Sequence, residues 1–543
     1  MDGLMQKWPL LVPTILEHAR INHPEQEVVT RTVEGPIHRY TYADLYGRAK
    51  RCAKALTKLG VGEGDVVATL AWNTHRHMEA WYGIMGIGAV CHTLNPRLFA
   101  EQLVYIVNHA EDKYVFTDLT FVKICEGIEA QCPNVKGWVV MTDHEHMPET
   151  SLKNAICYED LLADSDEDIE WAELDENAAC GLCYTSGTTG NPKGVLYSHR
   201  SNVLHALTVS QADAFGLRAA DAVMPVVPMF HANAWAIAFA APMTGAKLVM
   251  PGAGMDGKSV HELLEQEQVT FTAAVPTVWL MLLQHMEEND LKLSSLNRVM
   301  IGGSAVPRTI VEKFEKNYGV TVTHGWGMTE MSPLGSFSAM KPGMEKLPYE
   351  EQLRYKLKQG RAPYMVEMKV IDDDGKELPR DGESFGRLVV RGPAIARSYF
   401  KGEGGQILDE QGFFDTGDVA HIDGQGFMQI TDRAKDVIKS GGEWISSIEI
   451  ENLAVGHPKI AEAAVIGVAH PKWDERPLLI CVRAEGADVE KDDVLKFLAG
   501  KIAKWWMPDD VAFVDEIPHT ATGKIQKRAL RDQFADYELP TAK

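Results

Sequence analysis

Residues 247–275 read KLVMPGAGMDGKSVHELLEQEQVTFTAAV. The KLVM at 247–250 is a short apolar run of strand length, residues 259–267 carry a helical pattern, and residues 269–275 are extended again. A further strand is predicted at 298–301, running straight into Gly302-Gly303. Strand and helix taking turns is the signature of largely parallel sheets covered by helices, so a layered α/β fold is predicted.

The same alternation holds toward the N-terminus. Thr41 followed by Asp44 marks a helix start, with the side chain capping and an acid three positions on. Leu45, Ala49, Cys52, Leu56 and Leu59 then recur at helical spacing, and Gly60 ends the run. Residues 65–70 (DVVATL) read as a buried strand. Past about residue 365 the pattern changes to short strands, at 366–371, 386–391 and 426–430, separated by Gly and Asp turns. That predicts a β-rich subdomain. The polar stretch 341–359 reads as a surface excursion with a short helix. Beyond the charged connector 432–436, a helix near 447–455, strands at 461–467 and 478–484, a helix near 491–504 and a strand at 511–515 make a small α+β unit. The expected organisation is a large N-terminal domain (1–431), the connector (432–436) and a small C-terminal domain (437–543).

Bulk properties narrow the class. A chain of 543 residues is too long for one core. Its formal net charge of −22 argues against nucleic-acid binding and leaves any anionic ligand dependent on local donors. No run of about 18 apolar residues occurs, so no transmembrane segment is predicted. The first residues lack the basic start and apolar stretch of a secretory signal. Eight scattered cysteines fit a reduced, cytoplasmic setting. Cys180 and Cys183 form a lone C-x-x-C, read as two small buried strand residues rather than a metal or redox site.

The strongest chemical signal is Tyr184-Thr-Ser-Gly-Thr-Thr-Gly-Asn-Pro-Lys-Gly-Val195. Glycines and small hydroxyl residues expose backbone N–H groups to a phosphate, and Lys193 adds a point charge. A Walker A loop would end Gly-Lys-Ser/Thr and open a helix; here residues 195–197 read as a strand.

With these residues in view, the chain resembles the adenylate-forming superfamily of acyl-CoA synthetases, luciferases and peptide-synthetase adenylation domains. Gly302-Gly303-Ser304-Ala305, Gly325-Trp-Gly-Met-Thr-Glu330, Asp415-Thr-Gly-Asp418, Asp432-Arg-Ala-Lys-Asp436, Gly441-Gly-Glu443 and Thr522-Gly-Lys524 follow the loop in the family's order. The resemblance implies that Thr185, Ser186, Gly187, Thr188, Thr189 and Lys193 hold the phosphates of ATP. It places adenine along Gly303, Ser304 and Ala305, beside Trp326, Gly327 and Met328; Trp326 stands where relatives usually carry tyrosine. Thr329 contacts phosphate, and Glu330 with Thr188 holds Mg²⁺, a hard cation suited to oxygen ligands. Asp418 accepts from the ribose, although by itself an Asp in a Gly turn reads as turn chemistry. Arg433 completes the nucleotide grip. On the same resemblance the connector 432–436 is a hinge, with Lys435 the hinge residue, and the small C-terminal domain is mobile. Lys524 is the catalytic cation. Read alone it would be a surface lysine, yet a carboxylate striking a phosphate needs a cation between two anions.

Two half-reactions follow from the resemblance. A carboxylic acid displaces pyrophosphate to give an acyl-adenylate; the small domain then turns, and coenzyme A attacks, its pantetheine passing Lys439, Gly441, Gly442 and Glu443. The acyl pocket falls to His231, Trp235, Gly302 and Pro333, with Leu334 alongside. His231 replaces the Asp common in amino-acid-activating domains, which disfavours an α-amino acid. The details look most like bacterial medium- and long-chain fatty acid–CoA ligases and methylmercaptopropionate–CoA ligases. Aryl or short-chain acids, and a stand-alone enzyme loading a carrier protein, are the alternatives. Relatives often pair through the large domain, so a homodimer is expected.

Overall fold

The computed structural model describes residues 1, 3–185, 191–433, 435–440, 443–519 and 525–542, with the side chains of Glu443 and Trp444 left aside. Among the described residues the opening stretch lies within an eight-stranded sheet. Lys247–Met250 and Phe271–Ala274 are not neighbours in it: Ala222–Pro225 runs parallel between them. Phe271–Ala274 is followed outward by Arg298–Ile301 and Thr321–Gly327, all parallel, with Leu334–Phe337 antiparallel at the edge. The helix joining the two quoted strands is Gly257–Gln266, capped by Asp256, whose carboxylate accepts Ser259 N–H at 3.0 Å.

A second, seven-stranded sheet runs from Ala155–Cys157 through Val66–Leu70 to Ala179–Tyr184 and Gly194–Ser198. It is parallel except for the last pair. Between the two sheets lie Tyr42–Lys58 and His75–Gly86. The first carries the expected Thr41–Asp44 capping box, and Gly60 beyond its end sits at φ +77°. Every residue of the second is buried, as a helix with sheets on both sides requires. One apolar cluster joins both sheets through these helices, including Val67, Trp81, Tyr82, Val223 and Leu248. Cys180 and Cys183 are buried strand residues of the second sheet, and all eight cysteines are free. No helix among the described residues is long and apolar enough to cross a membrane.

The β-rich part is a four-stranded antiparallel sheet of Glu367–Ile371, Gly386–Arg391, Phe414–Ile422 and Met428–Arg433. Two expectations change here. Residues 415–418 are not a turn: they lie inside the nine-residue strand Phe414–Ile422, where Gly417 at φ +69° lets the register shift. The final strand also runs three residues past 430, so Asp432 and Arg433 are paired opposite Val419 and Asp418. The C-terminal sheet is built on the long hairpin Ile460–His470 and Asp474–Arg483, with Asp510–Phe513 parallel to the latter. Its helix Lys491–Leu498 stops well short of 504, because the chain turns at Gly500, φ +77°.

Candidate active site

The glycine-rich loop bridges Ala179–Tyr184 and Gly194–Ser198, which pair antiparallel with Tyr184 opposite Gly194. A strand on each side confirms that this is no Walker A loop, whose exit is a helix. The legs are tied where they meet. Thr185 N–H donates to Lys193 O at 2.9 Å, and Lys193 N–H donates to Thr185 Oγ1 at 3.4 Å. Ser186, Gly187, Thr188 and Thr189 lie outside the described residues. The Lys193 ammonium sits 4.9 Å from the centre of the Tyr399 ring. Below the loop, the Tyr184 hydroxyl lies 2.6 Å from His109 Nδ1.

Gly303, Ser304 and Ala305 follow the strand Arg298–Ile301 as a turn at the sheet's carboxyl edge, the usual ligand end of a parallel sheet. Gly303 takes φ +84°, and Gly303 and Ser304 are exposed. Trp326 lies across from them on the neighbouring strand, 8% exposed. Its indole N–H donates to Asp418 Oδ2 at 3.0 Å, and Arg433 Nε holds Asp418 Oδ1 at 2.8 Å. The Arg433 guanidinium also donates to Thr416 O at 3.1 Å. Three residues drawn from separate motifs therefore form one cluster around a buried carboxylate. Asp418 is therefore a strand residue and not part of a turn, while Arg433, its side chain 39% exposed, is tied to that carboxylate. Asp418→Ala removes a charged acceptor from two donors. ATP affinity is expected to fall by about 10- to 100-fold, read by equilibrium dialysis.

Thr329, Glu330 and Met331 form a short 3-10 turn after Met328. Tyr197 Oη donates to Thr329 O at 2.7 Å, and Met328 N–H donates to Pro333 O at 2.9 Å. Gly327 is obligatory: a Cβ there would lie 2.0 Å from Pro333 O. Glu330 is buried, and Tyr399 Oη donates to its Oε1 at 2.7 Å. Sequence reasoning missed Tyr399, because nothing in RSYFKGEGG marks it out locally.

Gly302 lies against Trp235: a Cβ on Gly302 would sit 3.1 Å from the indole and 2.8 Å from Gly325 O. Trp235 is 3% exposed and stands in a turn where residues 232–236 all have φ between +43° and +68°. Five successive left-handed residues without a glycine cost roughly 1–2 kcal/mol each, strain of the kind stored at ligand sites. His231, half-buried, opens this turn, its N–H donating to Pro228 O at 3.0 Å. Pro333 meets Gly327 and Met328 rather than Trp235 in these contacts.

In the C-terminal part, Lys439 is exposed on the strand Ile438–Ser440, its N–H donating to Glu475 Oε2 at 2.9 Å. The backbone of Glu443 pairs opposite Ser440. Lys435 is exposed. Gly441, Gly442 and Lys524 lie outside the described residues. A buried cluster that the sequence did not announce stands beside the connector. Asp432 Oδ2 accepts Ser447 N–H at 2.9 Å and Ser447 Oγ at 2.5 Å. Lys527 Nζ reaches Glu451 at 2.7 Å and also donates to Ser447 Oγ.

Layered parallel sheets with a strand-bounded glycine loop and a buried carboxylate held by Trp326 and Arg433 describe a nucleotide-binding enzyme. The chain belongs to the AMP-binding enzyme family. Residues 16–400 match the family itself, and residues 449–524 match the AMP-binding enzyme C-terminal domain. It is 49% identical over 536 residues to a 3-methylmercaptopropionyl-CoA ligase of Ruegeria lacuscaerulensis, covering 99% of both chains. It is 46% identical over 539 residues to a medium-chain-fatty-acid–CoA ligase of Ectopseudomonas oleovorans, covering 99% of this chain and 98% of that one. Among solved structures, ATP-bound MatB from Rhodopseudomonas palustris matches with a TM-score of 0.80 at 26% identity, covering 96% of this chain and 99% of that one.

Proposed function

We propose that this protein is an AMP-forming acyl-CoA ligase that activates a medium- or long-chain fatty acid, or a thioether acid of the 3-methylmercaptopropionate kind, and passes the acyl group to coenzyme A. The observation that carries this reading is an unbroken line of contacts across the site. Lys193 rests on Tyr399, Tyr399 holds Glu330, and Glu330 ends the segment that begins at Trp326, whose indole holds Asp418 and through it Arg433. One nucleotide lying along that line meets the cation at its phosphates and the carboxylate at its ribose. Relatives with half their residues in common are acyl-CoA ligases by name, which supports the same acceptor here.

In this reading the acid lies against Trp235 and Gly302 with its carboxylate toward the α-phosphate. Lys193 and the loop N–H groups draw charge from the phosphates as pyrophosphate leaves. Lys524 from the small domain stands between the two anions in this step. The small domain then turns at Lys435, and Lys439, Gly441, Gly442 and Glu443 line the way for the pantetheine thiol. Magnesium fits the donor set. No cluster of three or more His, Cys, Asp or Glu suited to a metal exists among the described residues, while Glu330 is a single buried carboxylate beside the loop. Mg²⁺ takes one or two carboxylates plus substrate phosphates. Glu330 and Thr188 would hold it, and it would neutralise phosphate charge.

Eight free buried thiols support a reducing, cytoplasmic setting. The homodimer expected from the family is settled by sedimentation, which separates a 60.1 kDa monomer from its pair. The function is tested with a panel of acids from C3 to C18, plus thioether and aryl acids, with coenzyme A as the sole acceptor. AMP and acyl-CoA are expected to appear together for medium or long chains or the thioether acid. AMP release without acyl-CoA for every acid would redirect the reading to a carrier-protein-loading enzyme.

A further inference from the structure

Tyr399 touches both charged groups that the reaction sets against the nucleotide phosphates. Its hydroxyl donates to Glu330 Oε1 at 2.7 Å, and its ring lies 4.9 Å beneath the Lys193 ammonium. The ring is held from behind by the Cys183, Val195 and Tyr197 cluster, on the strands that carry the glycine loop. The segment bearing Tyr399 is pinned at both ends. Ala396 N–H donates to Glu330 O at 2.8 Å, and Glu403 accepts from Tyr105 Oη at 2.9 Å. Glu330 and Lys193 would attract each other directly without something between them. Pairing of that kind would neutralise the two groups that MgATP needs, and would have to break before it bound.

We propose that Tyr399 is a positioning residue that keeps Glu330 and Lys193 apart and aimed: its hydroxyl fixes one carboxylate oxygen and leaves the other to the metal, while its ring carries the ammonium toward the phosphates. The proposal rests on the reading in which Glu330 and Lys193 meet MgATP. The two functions sit on different atoms, so two substitutions separate them. Tyr399→Phe removes the hydroxyl and keeps the ring face for Lys193. Tyr399→Leu removes both.

Binding of ATP to the full chain is measured by equilibrium dialysis, in EDTA and across a MgCl₂ titration, with no acid or coenzyme A present. Tyr399→Phe is expected to bind ATP in EDTA as the parent protein does, but to need about five- to tenfold more Mg²⁺ to reach half of the metal-enhanced affinity. Tyr399→Leu is expected to lose affinity in EDTA as well. Glu330→Gln controls for general disturbance of the fold. Combined with Tyr399→Phe it should shift the Mg²⁺ midpoint no further than Glu330→Gln alone, because the hydroxyl acts through that carboxylate. An unchanged Mg²⁺ midpoint in Tyr399→Phe, an equal loss with and without metal, or additive shifts in the double variant would each overturn the proposal. Failure of the parent protein to bind ATP at all would overturn the underlying reading instead.

Discussion

Lys524→Ala is expected to reduce acid-dependent ATP–pyrophosphate exchange by about 100- to 1,000-fold, the scale of removing a preorganised charge from a developing transition state. The same variant, supplied with a ready-made acyl-adenylate, is expected to form acyl-CoA at close to the parent rate. The effect is electrostatic. A carboxylate approaching an α-phosphate is repelled by it, and the chain's net charge of −22 gives no help from the general field. Lys193 stands at the glycine loop, and Arg433 is committed to Asp418 and Thr416. A separate cation is therefore needed where the acid meets phosphorus. In the second step the adenylate carries no such pair of anions, and AMP leaves from a carbonyl carbon attacked by a thiolate. Stopped-flow measurement of both half-reactions checks this. Equal losses in the two would remove the proposed division of labour.

The second large effect concerns stability. Lys527 is buried with Glu451 and Asp432, one ammonium between two carboxylates. Asp432 belongs to the strand Met428–Arg433, whereas Ser447, Glu451 and Lys527 belong to the C-terminal helices, so the cluster joins the two parts across the connector. Burial pushes Glu451 up to about 7 against the pull of Lys527, and burial raises Asp432 too. Lys527 itself is raised, since the attraction of the two carboxylates outweighs its desolvation. Lys527→Met leaves both acids buried without a cation, which costs about 3–5 kcal/mol near pH 8. The pH dependence has a definite sign. A carboxyl raised in the folded state gives most stability below its unfolded value and loses it as the pH climbs. With the ammonium gone both carboxyls rise further, so the deficit relative to the parent protein narrows toward about pH 5.5. Urea unfolding of the two proteins at both pH values measures this; a deficit independent of pH would mean that lost packing, not stranded charge, is the cause.

The parts of the fold that were legible in the sequence are those written in local pattern. The Thr41–Asp44 cap, the strand at 298–301 and the helix at 447–455 all sit where spacing and capping placed them. Order within the sheet was not legible. Lys247–Met250 and Phe271–Ala274 read as successive strands, yet Ala222–Pro225 separates them, because pairing between strands is set by packing over long sequence distances. Residues 415–418 looked like a turn because Asp and Gly favour turns; the neighbouring strands Gly386–Arg391 and Met428–Arg433 overrode that preference and used Gly417 as a bulge.

The site divides in the same way. Asp418, Arg433 and Trp326 could be named singly from motifs, but their meeting around one carboxylate needed the fold. Tyr399 and Lys527 gave no signal, since an aromatic or a lysine after a turn has many ordinary uses. Their roles come only from what lies opposite them. The left-handed turn at 232–236 is likewise invisible in the sequence, because alanine and tryptophan disfavour that backbone and the single Asn233 accounts for only one of its five residues.

The most direct measurement is isotope exchange between pyrophosphate and ATP by the unaltered protein, with a carboxylic acid present and coenzyme A left out. Exchange that requires a medium-chain, long-chain or thioether acid, and proceeds without any thiol, is the predicted result. No exchange with any acid of the panel, in a protein that binds ATP, would contradict formation of an acyl-adenylate and with it the whole account.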